Sequence, residues 1–274
     1  MNYKMIVLDL DDTLLRDDHT ISERTKQVLM QAQENGVKVV LASGRPTFAM
    51  VHIAEELSLH QYGSYILSFN GGKITNFRTK EDVFVSTLSK EVSHRLYDLS
   101  RRENVYIHTY IQDEIITADD NEYSRKESMI TGLPIKIVED FKDAVTVPVI
   151  KLLMVENPEK LQVVEAKLQK EFEDEFSIMR SKPYFLEFTE KGVTKGTSLQ
   201  ALIDQLGITR EEVIAIGDSY NDVSMIEFAG LGVAMGNAPD DIKELADYVT
   251  DTNMNDGVAK VVENFVLSSS MSIQ

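Results

Sequence analysis

Cysteine is absent from this 274-residue chain, and that absence excludes disulfides, thiolate metal sites and cysteine nucleophiles. Long apolar runs are missing as well. No stretch approaches the roughly 20 residues of a membrane-spanning helix. The N-terminal run Met5-Ile6-Val7-Leu8 is too short for a signal-peptide core and meets Asp9 at once. The resulting expectation is a cytoplasmic protein. Positive charge is scarce: 28 Lys and Arg face 45 Asp and Glu, a formal net charge of −17 that repels nucleic acid and anionic membrane surfaces as partners. A small anionic ligand stays compatible, because a local lysine, a metal ion or a helix N-terminus overrides the global field. Internal repeats and low-complexity segments are lacking too, and nothing in the sequence specifies an oligomeric state.

What is present is a globular composition, 43% hydrophobic and 27% charged, on enough chain for one large domain or two smaller ones. Lys4 to Leu10 reads as a strand apolar on both faces, as buried parallel strands are. Thr20-Ile21-Ser22-Glu23 has the spacing of a capping box and predicts a helix through Gln33, closed by Gly36. Val37 to Ala42 is a second strand, followed by a helix to about Ser58 and a third strand over Tyr65 to Phe69. Strand alternating with helix predicts a parallel α/β sheet with right-handed crossovers.

From about residue 83 to 188 the rhythm changes to paired strands with helices, predicting an inserted α/β domain with an antiparallel sheet. The first rhythm returns after Lys191-Gly192, with a helix over 197–206, the strand Val213 to Gly217 and further short elements up to a tail, SSSMSIQ, that reads as frayed. The expected organisation is an α/β core with a parallel sheet, 1–82 plus 189–274, interrupted by the insert 83–188.

Polar residues sit just beyond the apolar strands. The first is followed by Asp9 and Asp11, the second by Ser43-Gly44-Arg45, and the strand 213–217 by Asp218, Asn221 and Asp222. In open α/β sheets ligands bind outside the carboxyl ends of the strands, so these residues converge if the strands are neighbours. Lys195, at the start of the helix feeding the strand 213–217, falls within reach. Buried carboxylates are costly unless paired or bound to metal. Asp9 and Asp218 supply hard oxygen ligands with no His or Cys nearby, a set that suits Mg²⁺ with a substrate phosphate. Ser43 and Lys195 are donors for phosphoryl oxygens. Asp9 and Asp11, two apart on extended backbone, share a side, so one carboxylate can attack phosphorus while the other serves the leaving oxygen. Taken singly, each segment also has an ordinary structural explanation, as a strand exit, a helix-entry turn or a surface lysine.

Together, D-L-D-D-T at 9–13, Ser43 after a strand, Lys195-Gly196 and G-D-S-Y-N-D at 217–222 resemble the four motifs of the haloacid dehalogenase superfamily. Ala42-Ser43-Gly44-Arg45, Asn70-Gly71-Gly72 and the long insert resemble its Cof-type sugar-phosphatase branch. The resemblance implies a Rossmann-like core with a mobile, inserted α/β cap. It implies a Mg²⁺-dependent phosphatase acting on small phosphorylated metabolites, sugar phosphates or similar compounds by the branch it resembles, through a phosphoaspartyl intermediate. It implies Asp9 as nucleophile, and Asp11 as general acid/base with its backbone carbonyl on the metal. Ser43 and Lys195 would hold the phosphoryl group, Gly44 and Arg45 would join them in binding the substrate, and Asn221 would contact phosphate. Asp218 would ligate Mg²⁺ and Asp222 would orient its surroundings. Asp12 departs from the glycine many members carry; Asp tolerates left-handed backbone, so the turn survives. Two readings with related chemistry stand beside this one, a phosphomutase and a phospho-accepting signalling protein. His52, His60, His94 and His108 show no metal spacing, and Met225 and Met235 read as core.

Overall fold

A computed structural model describes residues 3–172 and 174–268; the end of the tail, read above as frayed, lies outside them. The chain forms two compact units, one of residues up to Phe84 and from Thr194 onward, the other Val85–Val193.

The first unit contributes strands β1 (Met5–Leu8), β2 (Lys38–Ala42), β3 (Tyr65–Ser68), β4 (Lys73–Asn76) and β5 (Asp82–Val85), the last ending at the junction. The inserted unit contributes β6 (Tyr106–Ile111), β7 (Glu114–Thr117), β8 (Ile135–Ile137), β9 (Leu152–Val155), β10 (Phe176–Lys182) and β11 (Phe185–Glu190). The returning chain adds β12 (Val213–Gly217), β13 (Leu231–Ala234) and β14 (Tyr248–Val249). The first sheet runs β14-β13-β12-β1-β2-β3-β4-β5. It is parallel from β14 to β3, and β4 pairs antiparallel to β3. Strand β1 is central, between β2 and β12, so the crevice where the crossovers diverge lies at the ends of these three strands.

The parallel strands are apolar because both faces are covered. Ile6, Leu8, Val39, Leu41, Ile214 and Ile216 point into one core with Val28 and Leu29 of the helix Glu23–Glu34. Met5, Val7, Val40, Val213 and Ala215 point into the other, against Leu199, Leu202 and Ile203 of the helix Lys195–Leu206. Met225 and Met235 are fully buried, as expected. The helix Glu23–Glu34 is capped by Ser22, whose hydroxyl accepts from the Thr25 N–H. Thr20, expected to open the box, instead bonds Asp18. The helix expected after Ser43 is divided into Thr47–Met50, Val51–Glu56 and Leu59–Tyr62, with Ser58 at φ +53.

The inserted unit has a sheet ordered β10-β11-β9-β6-β7-β8. Every pairing is antiparallel except β7 with β8, which is parallel. The helix Glu122–Thr131 lies between those two strands in sequence and carries the chain back to the starting end, so the second strand enters in the same direction. One face of this sheet packs Ile107, Leu152, Met154, Leu186 and Phe188 with Leu96, Leu161 and Leu168. No helix among the described residues is long and apolar enough to cross a membrane.

Candidate active site

Asp9 follows β1 directly and stays on the sheet, its N–H donating to the Ile216 carbonyl at 3.0 Å. The residue is 6% exposed, burial that demands compensation for its carboxylate. Lys195 supplies it. The Lys195 ammonium is wholly buried and donates to Asp9 Oδ1 at 2.6 Å, Asp222 Oδ1 at 2.6 Å and the Ala42 carbonyl at 3.0 Å. One lysine thus ties together the ends of β1 and β2 and the loop after β12, with all three of its N–H donors engaged.

The helix Lys195–Leu206 presents that lysine from its first turn, with Thr194 as its N-cap. Gly196 explains how close the helix comes: a Cβ there would lie 2.1 Å from the Ser224 carbonyl oxygen, and its N–H donates to Ser224 Oγ at 3.1 Å. Asp222 is fixed equally firmly. Its Oδ2 accepts the N–H groups of Asp218 and Ser219 at 3.0 Å each. Gly217 leaves room for it, since a Cβ would fall 2.5 Å from the Asp222 Cβ. With both oxygens engaged, Asp222 shapes the loop that holds Asp218.

Asp218 accepts from the Thr13 hydroxyl through Oδ1 at 2.7 Å. Oδ2 of Asp9 and Oδ2 of Asp218 have no hydrogen-bond partner among the described residues. Carboxylate oxygens of Asp9, Asp218 and Asp222 lie within 4.8 Å of one another. Three carboxylates around one ammonium leave an excess of negative charge in a buried place. Burial therefore pushes the Asp9 carboxyl well above the ordinary carboxylate range, with the Asp222 charge adding to it and Lys195 opposing. Asp218 is pushed up to about 6 by burial, against the Thr13 hydrogen bond. Burial works to lower the Lys195 value, but Asp222 and Asp9 outweigh it and hold the ammonium above its ordinary range. An all-oxygen set with open carboxylate oxygens and uncompensated charge fits a hard dication such as Mg²⁺. A recess of about 390 Å³ lies alongside, bordered by Asp12, Asp218, Asn237 and Asn253.

Ser43 follows β2 with its N–H on the Leu67 carbonyl; it is 2% exposed, and its Oγ accepts the Arg45 N–H at 3.2 Å. Asn221 donates to Asn70 Oδ1 at 3.1 Å. The Asn70 side chain lies against Gly44, where a Cβ would be 3.1 Å from its Nδ2. Asp11 stands apart from the carboxylate cluster: Arg45 grips it with Nε on Oδ2 at 3.0 Å and Nη2 on Oδ1. Asp12 takes φ +62, the left-handed turn expected of it. Thr13, Asn70, Ser224 and Asn237, whose amide holds the Asp12 carbonyl at 2.8 Å, also belong to the site, although the sequence alone does not single them out. Only the D-L-D-D-T and N-G-G segments carried any signal for them.

The haloacid dehalogenase-like hydrolase family model matches residues 6–262. A 5-amino-6-(5-phospho-D-ribitylamino)uracil phosphatase of Bacillus subtilis, YcsE, is 33% identical over 270 residues, covering 97% of this chain and 97% of its own. A haloacid dehalogenase-like hydrolase from Bacteroides thetaiotaomicron is 46% identical in structural alignment, with a TM-score of 0.89 over 96% of this chain and 99% of its own. A sugar phosphatase of HAD subclass IIB superposes with a TM-score of 0.79 at 28% identity, covering 96% and 98%. A likeness that spans nearly the whole chain places it in the haloacid dehalogenase-like hydrolases, as an enzyme of their phosphatase type.

Proposed function

We propose that the protein is a cytoplasmic, Mg²⁺-dependent phosphatase that hydrolyses small phosphate monoesters, sugar phosphates or similar metabolites, through a phosphoaspartyl intermediate. The observation that carries this is the buried Lys195 bridging Asp9 and Asp222 beside Asp218, which leaves open carboxylate oxygens at the strand ends. Asp9 and Asp218, with the backbone carbonyl of Asp11, would hold Mg²⁺, which when bound supplies charge compensation for the carboxylates and the phosphoryl oxygens.

In the first half-reaction an Asp9 carboxylate oxygen forms a bond to phosphorus as the bond to the ester oxygen breaks. The departing oxygen keeps the electron pair and takes a proton from Asp11. In the second, Asp11 takes a proton from water, the water oxygen bonds phosphorus, and the Asp9–phosphorus bond breaks to release inorganic phosphate. Ser43, Gly44, Arg45, Lys195 and Asn221 position the phosphoryl group and its surroundings.

The test is phosphate release from a panel of metabolites with Mg²⁺, after EDTA, and with Asp9→Asn. Release should vanish in EDTA, return with Mg²⁺, and be absent in the variant. Undiminished turnover in EDTA would remove the metal assignment, and wild-type turnover by Asp9→Asn would place the nucleophile elsewhere. Return of the phosphoryl group to the organic product, with no free phosphate, would establish a mutase instead.

A further inference from the structure

The residue read as the general acid/base is not idle. Asp11 lies on extended backbone at φ −70 and ψ 128, just before the left-handed turn at Asp12, and both its oxygens are taken by the fork of Arg45. Arg45 is anchored on either side: its N–H donates to Ser43 Oγ and its carbonyl accepts from the Phe69 N–H at 3.0 Å. The guanidinium side chain is 20% exposed while the Asp11 side chain is 47% exposed, so the arginine is the fixed partner and the aspartate the movable one. A carboxylate held by a bidentate guanidinium commits one lone pair of each oxygen to the fork and cannot turn toward a leaving group while it is held.

The phosphoryl group needs the same arginine. All three Lys195 donors already serve Asp9, Asp222 and the Ala42 carbonyl. Arg45 has five N–H donors, of which Asp11 engages those on Nε and Nη2. A phosphate oxygen pair fits the guanidinium fork as a carboxylate does, so the two ligands exchange at little net change.

We propose that Arg45 is a positioning residue that parks Asp11 before substrate binds and releases it when a phosphoryl group takes the guanidinium, arming the acid/base only in the substrate complex. This rests on the phosphatase reading and on Asp11 as its acid/base.

Competition for one arginine predicts a coupling that a plain phosphate contact does not. The affinity for inorganic phosphate with Mg²⁺ present is measured by titration calorimetry on wild type, Asp11→Asn, Arg45→Gln and the double variant. Asp11→Asn should tighten phosphate binding about tenfold, and by no more than about twofold once Arg45 is Gln, a coupling expected only of residues in direct contact. Arg45→Lys, which keeps charge without the fork, carries the same cycle if Arg45→Gln does not fold. Equal tightening in both backgrounds overturns the clamp alone, because it reduces Asp11 to a nearby negative charge. Failure of the wild type to bind phosphate overturns the phosphatase reading and the clamp with it.

Discussion

Lys195 holds its place by charge, and its substitution separates charge from packing. Lys195→Met keeps much of the buried stem but leaves Asp9 and Asp222 facing each other without their ammonium. Breaking a buried pair by removing one partner typically costs about 3–5 kcal/mol. Part of that loss should be recoverable in acid, since a proton on Asp9 removes the uncompensated charge. Urea unfolding in EDTA should therefore show a larger deficit at pH 8 than at pH 5.5, and a deficit independent of pH would assign the role to packing. The sequence showed which side chains can do phosphoryl chemistry because Asp, Ser and Lys at strand ends have few other uses together. It did not show who holds them. Thr13 finds Asp218 across 205 positions of sequence, and Asn221 finds Asn70 across 151, distances over which single-sequence patterns carry nothing.

At the scale of elements, the site depends on close approach at strand ends. Gly71, at φ +104, would set a Cβ 2.4 Å from the Thr194 carbonyl oxygen, and its own carbonyl accepts from Ser198 Oγ at 2.7 Å. Gly196 makes the tighter contact with Ser224. Gly196→Ala should push the first turn of the helix Lys195–Leu206 away from the strand ends and shift the ammonium off two carboxylates at once. Overpacking of this kind costs about 1–3 kcal/mol. The rate should fall more steeply than the stability does, because a displacement of ~1 Å costs about 10² in rate. Comparing kcat with the urea midpoint for the variant decides it: a rate loss no larger than a general destabilisation implies would show that the helix start does not position the lysine. The long apolar strands and the capped helices were legible in sequence because burial on both faces and cap chemistry are local signals. Strands β4, β5 and β8 were not. They are three or four residues long, mix polar with apolar side chains, and exist through pairing to neighbours already in place.

For the whole molecule, two units with separate cores should answer pH in opposite ways, and only the first should answer metal. In the first unit without metal, Asp218 at about 6 lies above its ordinary 3.8, so the folded unit keeps a proton that the unfolded chain gives up. That contribution is present at low pH and lost as pH rises through about 6, where the carboxylates must ionise together. A bound dication reverses the loss, by about 2.7 kcal/mol when its concentration is one hundred times its dissociation constant. The inserted unit carries the opposite sign. His108 is wholly buried, its Nδ1 beside Ser124 Oγ at 2.9 Å and its Nε2 without a partner among the described residues. Burial, and then the charge of Lys151, lower it from 6.5 to about 3. The unfolded chain takes a proton that the folded unit refuses, so stability is intact above about 6.5 and falls toward 3, by about 1.4 kcal/mol per pH unit. Hydrogen exchange in EDTA, expressed as protection factors, reads the units separately. Amides of β1, β2 and β12 should lose protection as pH rises from about 4 to about 6 and regain it with Mg²⁺. Those of β6, β9 and β11 should lose protection from pH 6.5 to 4.5, indifferent to Mg²⁺, and His108→Gln should flatten that slope. If Mg²⁺ protects both sheets alike, the metal is not held by the carboxylates of the first unit alone. If His108→Gln keeps the acid slope, the proton goes elsewhere in the inserted unit.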